Sequence, residues 1–269
     1  MLLVKEVAGK ARFMLTQTDS KTMAYVNLFA VLGTLENLCE LVPEAKALIK
    51  DTPPISIGFA VKNGPSATLR FENGSCRMVE GCSSCTIKLP FSSCEKFNGL
   101  IDGTVTPIPS KGFTKIKFLL NTFTRLTTLL SSYLKPSRED LENEAFRSIS
   151  TKLTLYTATA AASQIGNHDR SGSFSAGHIP DGDIAFNVEG VMGITINVKG
   201  HRMTTVKQPC KNPRASMTFG SLDTAGKVLN GEVSSIACMC NGSIAMTGML
   251  NMLDNLNRIL DRVGQYLSV

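Results

Sequence analysis

RASMTFGSLDTAGKVLNGEV, residues 214–233, repeats in outline a stretch that occurs earlier in the same chain. The earlier stretch, residues 86–105, reads TIKLPFSSCEKFNGLIDGTV, and identical residues in the two align at a constant offset of 128 positions. The aligned pairs are Phe91 with Phe219, Gly103 with Gly231, and Val105 with Val233. Matches that keep their order and spacing indicate an internal duplication.

The repeat extends to both sides of these stretches. ISIGFAVKNG (55–64) resembles GDIAFNVEG (182–190), and each copy ends in a segment whose apolar residues are four, three and four positions apart. That spacing places one apolar stripe on a helix. The stripes are Leu119, Phe123, Leu126 and Leu130 in the first copy, and Met249, Leu253, Leu256 and Leu260 in the second. We therefore predict copy one at 24–136, a charged linker at 137–144 and copy two at 145–269; residues 1–23 have no pattern that we can assign.

Each copy is predicted to contain a leading helix, several strands, a short helix, a further strand and a closing helix. The strands alternate apolar and polar residues, as in IKLPF (87–91), which is typical of strands with one buried face. Such an order favours an α+β fold, in which a mostly antiparallel sheet is covered by helices.

Composition and charge exclude few classes of function. The net charge is +6, and the basic residues are not clustered with aromatic ones, so the sequence gives no indication of a nucleic-acid partner. Transient contact with an anionic membrane is compatible with this charge. The opening residues MLLV are followed at once by Lys5, which is too short an apolar run for an export signal, and we expect a cytoplasmic protein with reduced thiols.

Residues 215–260 resemble the second half of a sterol carrier protein domain. The motif consists of a strand, a short helix that ends in glycine, and a segment of the form glycine-x-apolar-x-apolar-x-glycine before the last helix. In this sequence NGSIAMTG (241–248) fits that last segment, with Gly242, Ile244, Met246 and Gly248 at the four defined positions. The resemblance implies two tandem domains, each with helices on a five-stranded sheet that leave an apolar tunnel, and no catalysis. Copy one departs from the motif, because it keeps Gly112 but has no second glycine before the helix that contains Phe118.

The closing helix of copy two is rich in methionine, as is the strand expected before it. Methionine is unbranched and polarisable, so it suits a wall that must adapt to varied apolar ligands, although a methionine-filled core fits the same pattern. The predicted cavity residues are Met217, Phe219, Met239, Met246, Met249, Leu253 and Leu256. We expect a lipid or another apolar small molecule as the partner, no cofactor, and either a monomer with pseudo-two-fold domains or a homodimer.

The cysteines offer a weaker alternative. Cys82 and Cys85 form a CSSC pair, with Cys76 and Cys94 on either side at uneven distances, whereas a zinc site prefers two close pairs. These four are the weak candidates for a metal or redox site. Catalysis has little support, since no nucleophile elbow frames a serine near the histidines of GNHDRSGSFSAGHIPDGD (166–183), which is predicted to be a polar loop. The remaining alternative is a structural or interaction module whose cavities are filled by side chains.

Overall fold

A computed structural model describes residues 18–267 of the chain. In the first half, helix α1 spans Ser20–Leu41 and changes its winding on the way, with a π-helical segment at Val26–Val31 and a 3-10 turn at Leu32–Thr34. The elements that follow are α2 (Pro43–Lys50), β1 (Ile55–Val61), β2 (Ser66–Glu72), β3 (Ser75–Glu80), β4 (Ile87–Phe91) and α3 (Cys94–Ile101). The closing helix of this half begins with a 3-10 turn (Phe113–Lys115) and a π segment (Phe118–Phe123) and continues as α4 (Thr124–Leu134).

The second half repeats this order of elements and adds two short helices and one strand. A short helix α5 (Arg138–Glu142) precedes the long helix α6 (Glu144–His168). Then come α7 (Arg170–Ala176), β5 (Gly182–Val188), β6 (Met192–Lys199), β7 (Arg202–Val206), β8 (Ala215–Phe219), α8 (Leu222–Leu229), α9 (Ser235–Cys240), β9 (Ile244–Gly248) and α10 (Leu250–Leu267).

The two halves form two separate mixed sheets. Their strand orders are β3-β2-β1-β4 and β7-β6-β5-β8-β9. Each sheet contains one parallel pair, β1 with β4 and β5 with β8, and the other pairs are antiparallel. Phe59 lies opposite Leu89 in the first parallel pair, and Phe186 lies opposite Met217 in the second, so the two sheets have the same register. The predicted α+β class and the duplication are confirmed.

The first sheet has four strands, so the prediction of five in each copy is wrong for copy one. The segment that leads from the short helix to the closing helix is shorter in copy one, where it runs from Gly103 to Gly112, than in copy two, where it runs from Gly231 to Gly248. Pro107 and Pro109 also interrupt it, and proline cannot donate a hydrogen bond to a neighbouring strand. Only an isolated antiparallel bridge between Lys88 and Lys111 remains where β9 lies in the second sheet.

Gly112 is nevertheless the counterpart of Gly248, which corrects the prediction that copy one lacks the second glycine. Both glycines have positive φ, 88° and 85°. A Cβ added to Gly112 would lie 2.9 Å from the Cα of Ile87, and one added to Gly248 would lie 2.9 Å from the Cα of Ala215. Ile87 and Ala215 are the first residues of β4 and β8, so both copies turn into the closing helix by packing a glycine onto the same strand.

The leading helices α1 and α6 cross each other and join the two halves. Thr34 and Thr157 share a hydrogen bond of 2.8 Å between their hydroxyls at this crossing. Val26 and Ala30 of α1 belong to the hydrophobic core of the second half, whereas Leu153 of α6 belongs to that of the first. The proposed boundary at 137–144 stays a prediction, because each leading helix contributes to both cores.

The segment 166–183 is not the loop that was predicted. Its first residues complete α6, and Arg170–Ala176 form helix α7, whose N-cap is Asp169. The Asp169 carboxylate accepts hydrogen bonds from the backbone amides of Ser171 and Gly172, at 2.9 and 2.8 Å. Polar, glycine-containing sequence becomes helical here because a capping side chain satisfies the first amides.

Within the described residues, no single helix is long and apolar enough to cross a membrane. Helices α1 and α2 meet that criterion only as a pair bent by 93° at the break between them. Helix α1 is packed into both cores, as expected for an interior helix.

Candidate functional site

The predicted cavity residues of copy two converge beneath helix α10. Met217, Phe219, Leu253 and Leu256 are all buried in the second hydrophobic core. Met239 and Met246 are half-buried and pack against it. Met249 is 38% exposed at the start of the closing helix, so it lies at the rim of this group.

One predicted element is wrong in this region. Residues 235–240, expected to lie on the strand before the hinge, form helix α9, and the strand β9 starts only at Ile244. Met239 therefore reaches the core from a short helix, while Met246 reaches it from the sheet edge. Most of α9 is exposed, including Ile236 at 69%, so α9 lies on the surface of the second copy.

Strand register explains how the sheet supplies its share of this group. Met217 is directly opposite Phe186 on one side and Met246 on the other, and directly opposed residues project from the same face of a sheet. Phe219 is opposite Ile244 in the same way. The core below α10 is therefore lined by flexible thioethers. In copy one, the position that matches Met217 is occupied by Leu89, and the sheet has no strand equivalent to β9.

A buried ion pair fixes the closing helix from the other side. Arg262 Nη2 donates to Asp169 Oδ2 at 2.8 Å, and the Tyr266 hydroxyl donates to the same oxygen at 2.8 Å. The Tyr266 oxygen in turn accepts the backbone amide of Asp19 at 2.9 Å. This cluster ties α10 to the start of α7 and to the N-terminus of α1.

The protonation state of this cluster follows from competing effects. Burial alone would raise the pKa of Asp169, but hydrogen bonds from Arg262, the Gly172 amide and Tyr266 hold that pKa below its usual value. Burial also acts on Tyr266, whose pKa is raised to about 12. Asp169 is thus a buried carboxylate that remains ionised because its partners are in place. Sequence reasoning missed this cluster, although one signal was present: Arg262 follows Ile259 by three positions on the apolar stripe, and an arginine there requires a buried partner.

A polar cleft runs between the edge strands β3 and β7, above the crossing of α1 and α6. One part of it has a volume of about 700 Å³ and is lined by residues of both halves, among them Cys39, Lys46, Cys76, Arg77 and Tyr156. A second part, of about 450 Å³, includes Tyr25, Phe29, His168 and Arg202, and both parts share Glu36, Met78 and Lys207.

The charges at the centre of this cleft satisfy each other. Lys207 Nζ donates to Glu36 Oε2 at 2.7 Å and to the Gly33 carbonyl at 3.0 Å, while Glu36 Oε1 accepts the Met78 amide at 2.7 Å. Lys207 belongs to the second half and Glu36 to the first, so the ion pair bridges the two. This arrangement makes the centre of the cleft a joint between the copies.

An aromatic contact crosses the same cleft. The rings of Tyr25 and His168 are stacked with centroids 3.6 Å apart. Burial, together with the positive charges of Arg202 and Lys21, lowers the pKa of His168 to about 4. The imidazole is therefore neutral at pH 7, which favours stacking on the tyrosine ring over proton transfer.

Of the four cysteine candidates, only Cys82 and Cys85 lie together. Cys76 faces Cys39, whose proximity together with burial raises the pKa of Cys76 well above its usual value. Cys82 and Cys85 pack against Gly58, where an added Cβ would lie 2.6 Å from the Cys85 sulfur, and Cys94 packs against Gly64. Among residues 18–267, no group of three histidine, cysteine, aspartate or glutamate side chains is placed to hold a metal ion.

No protein-family model and no curated protein matches the sequence. Among solved structures, the chain is similar to sterol carrier protein domain 2 of Helicoverpa armigera, with 13% identity, 40% of this chain and 87% of that one covered, and a TM-score of 0.33. It is similar to a ubiquinone synthesis protein, UbiJ-SCP2, with 11% identity, 39% and 94% coverage, and a TM-score of 0.30.

A third similar structure is the stereoselective inverting sec-alkylsulfatase of a Pseudomonas species, with 11% identity, 54% of this chain and 28% of that one covered, and a TM-score of 0.25. The predicted resemblance to sterol carrier protein domains is confirmed as a resemblance, and at these identities it concerns the fold alone.

Proposed function

We propose that the protein binds or carries a lipid-like or other apolar small molecule, without catalysing a reaction, in the core of the second copy beneath α10. The observation that carries the proposal is the convergence of methionines from three different elements on one place. Met217 comes from β8, Met246 from β9 and Met239 from α9. Thioether side chains adjust their rotamers at low cost, so a wall made of them can open around a guest and close again.

The start of α10 offers a path to this place. Gly248 turns the chain with a positive φ, and the residues next to it, Met249 and Leu250, are 38% and 69% exposed. Ile236, on α9, is 69% exposed as well. An apolar ligand arriving here would meet apolar side chains before it reaches the interior.

Burial of apolar area supplies the affinity in this proposal. Each buried methylene contributes about 0.8 kcal/mol, so a chain of roughly ten methylenes gains about 8 kcal/mol before the costs of association are subtracted. No polar anchor is required for that gain. A carrier of this type would select ligands mainly by length and shape.

A first experiment asks whether the protein already contains a ligand. The purified full chain is extracted with organic solvent, and the extract is analysed by mass spectrometry against a matched extract of the Leu253→Asp protein. We expect an apolar compound in near-stoichiometric amount in the first extract and not in the second. Equal, trace amounts in both would count against the proposal.

A second experiment uses the absence of tryptophan from the sequence. Leu253→Trp places a single indole beneath α10, where it should block ligand uptake and leave stability nearly unchanged if a cavity opens there. The matched control is Leu130→Trp, which replaces a buried leucine of the copy-one core. Overpacking should cost that control about 1–3 kcal/mol.

The second candidate function is a structural or interaction module with filled interiors. The close packing at α10 favours it, since Met252, Leu253 and Leu256 are at most 1% exposed. Under this alternative Leu253→Trp is destabilised as much as Leu130→Trp. The difference in unfolding free energy between these two variants therefore separates the two functions.

A further inference from the structure

The closing helix of the first copy begins with apolar side chains on the outside. Phe113 is 61% exposed, Ile116 is 38% exposed and Leu120 is 60% exposed. Their spacing of three and four positions places them on one side of the helical segment, next to the face that buries Leu119 and Phe123. The first two turns of this helix thus expose an apolar stripe, which we call the outer stripe (Phe113, Ile116 and Leu120).

The second copy shows that this exposure is not required by the fold. With Gly112 aligned on Gly248, the positions of Ile116 and Leu120 correspond to Met252 and Leu256, and both of these are buried. Helix α7 packs against α10 in the second copy. The short helix of the first copy, α2, packs against α4 instead, which begins only at Thr124. The outer stripe is therefore uncovered because the copies have diverged around it.

The charge of this segment is one-sided. Between Asp102 and Glu139 the chain contains Lys111, Lys115, Lys117, Arg125, Lys135 and Arg138 and not a single acidic residue. Lys115 and Lys117 alternate with the outer stripe and are themselves exposed. Within residues 18–267, neither of these two lysines forms a salt bridge. In copy two, the segment that leads into the closing helix and forms its first turn, residues 233–253, carries no charge.

We propose that the outer stripe and its lysines dock on an anionic phospholipid bilayer. The apolar side chains enter the boundary between headgroups and acyl chains, while the lysine amines remain at the level of the lipid phosphates. Exposed apolar residues beside an unbalanced positive charge fit such a surface, whereas a neutral bilayer would give the lysines no electrostatic attraction. The inference goes beyond the proposed ligand and does not depend on it, since the stripe belongs to the other copy.

The test is sedimentation of the full chain with vesicles of phosphatidylcholine alone, or mixed with phosphatidylserine at about seven to three. We expect binding only to the anionic vesicles. Each lysine near such a surface contributes about fivefold in affinity, so Lys115→Glu with Lys117→Glu should weaken binding by at least roughly thirtyfold. The control is Lys199→Glu with Lys211→Glu, which makes the same change in net charge at exposed lysines of the second copy and should retain most of the binding.

The apolar part is tested with Phe113→Ser combined with Leu120→Ser. We expect at least a tenfold loss of binding to anionic vesicles, because two exposed apolar side chains no longer enter the interface. The matched control is Phe174→Ser combined with Val191→Ser, at apolar residues that are 67% and 47% exposed in copy two. Circular dichroism of all variants should show a spectrum like that of the unmodified protein, because the changes are at exposed side chains.

Four results would overturn the proposal. They are equal binding to neutral and anionic vesicles, equal losses in the stripe variants and their controls, and a preference for single-stranded RNA over vesicles at the same salt concentration. The fourth is a dimer, detected by light scattering, that the Phe113 and Leu120 substitutions dissociate, since the stripe would then be an interface between copies of this chain.

Discussion

Replacing Arg262 with methionine should destabilise the protein far more than the same replacement four residues earlier, at Arg258. Both arginines lie on α10 and both pair with an aspartate. The side chains of Arg262 and Asp169 are 9% and 5% exposed, whereas those of Arg258 and Asp254 are 63% and 65% exposed. The pair of variants therefore compares a buried and an exposed ion pair on a single helix.

The magnitudes follow from what each change leaves behind. Arg262→Met removes the partner of a buried carboxylate, and an uncompensated buried charge costs about 3–5 kcal/mol. Arg258→Met breaks a solvent-screened pair, which contributes at most about 0.5 kcal/mol. Tyr266→Phe removes one hydrogen bond to the same carboxylate and should lie between the two, at about 1–2 kcal/mol.

Urea denaturation at pH 7, followed by circular dichroism, measures these differences. Adding Asp169→Asn to Arg262→Met removes the stranded charge and should recover at least about 1 kcal/mol. The deficit of Arg262→Met should also shrink as the pH falls toward about 4, because the carboxyl can take up a proton once its positive partner is gone. If Arg262→Met and Arg258→Met had equal effects, the buried cluster would not stabilise the closing helix and the reasoning would fail.

Two further predictions concern the hinge and the cleft. Gly248→Ala should lower the free energy of unfolding, measured with urea, by more than about 2 kcal/mol, because its φ is 85° and the new Cβ would lie 2.9 Å from the Cα of Ala215. The control Gly242→Ala, with φ 80° and no atom within 4 Å of the new Cβ, should lower it by only about 1 kcal/mol. Equal losses would refute the contact with the strand. Because the pKa of His168 is lowered to about 4, its contribution to stability is present above the unfolded pKa and is lost as the pH falls from about 6.5 toward 4. Because the ring is partly exposed, the free energy of unfolding should fall by only about 1–2 kcal/mol over this pH range. The His168→Asn variant should lack this fall, which urea denaturation at several pH values would measure.

The parts of the fold that depend on local pattern could be predicted from sequence. Strands β4 and β8 and helices α3 and α8 lie where the offset of 128 places them, and Ser221 caps helix α8. In copy one Ser93, 128 positions before Ser221, caps the equivalent helix by accepting the Lys96 amide. Alternation and capping are short-range signals, so they locate elements well and their ends less well.

Features that depend on contacts between distant segments could not be predicted in this way. Helix α7 is capped by one carboxylate oxygen of Asp169, and the other oxygen is held by Arg262 and Tyr266, which lie more than ninety positions away in the sequence. The helical conformation of Ser235–Cys240 could not be predicted either, since the pattern of SIACMC fits a strand as well as a short helix. For the candidate site, composition indicated the methionines, but only the register of β8 and β9 places Met217 beside Met246.

The most consequential contact of this kind is the crossing of the two leading helices, and it bears on why the duplication is retained in one chain. Leu28 and Leu35 of α1 pack into the core of their own copy, whereas Val26 and Ala30 of the same helix pack into the core of the other. A helix that is apolar on more than one side is stable only when it is covered on each of them. An isolated copy would therefore expose part of α1 to water, together with the unpaired charge of Glu36 or Lys207. Covalent linkage keeps the second copy at high local concentration, so it supplies internally the contact that separate copies would have to make by association.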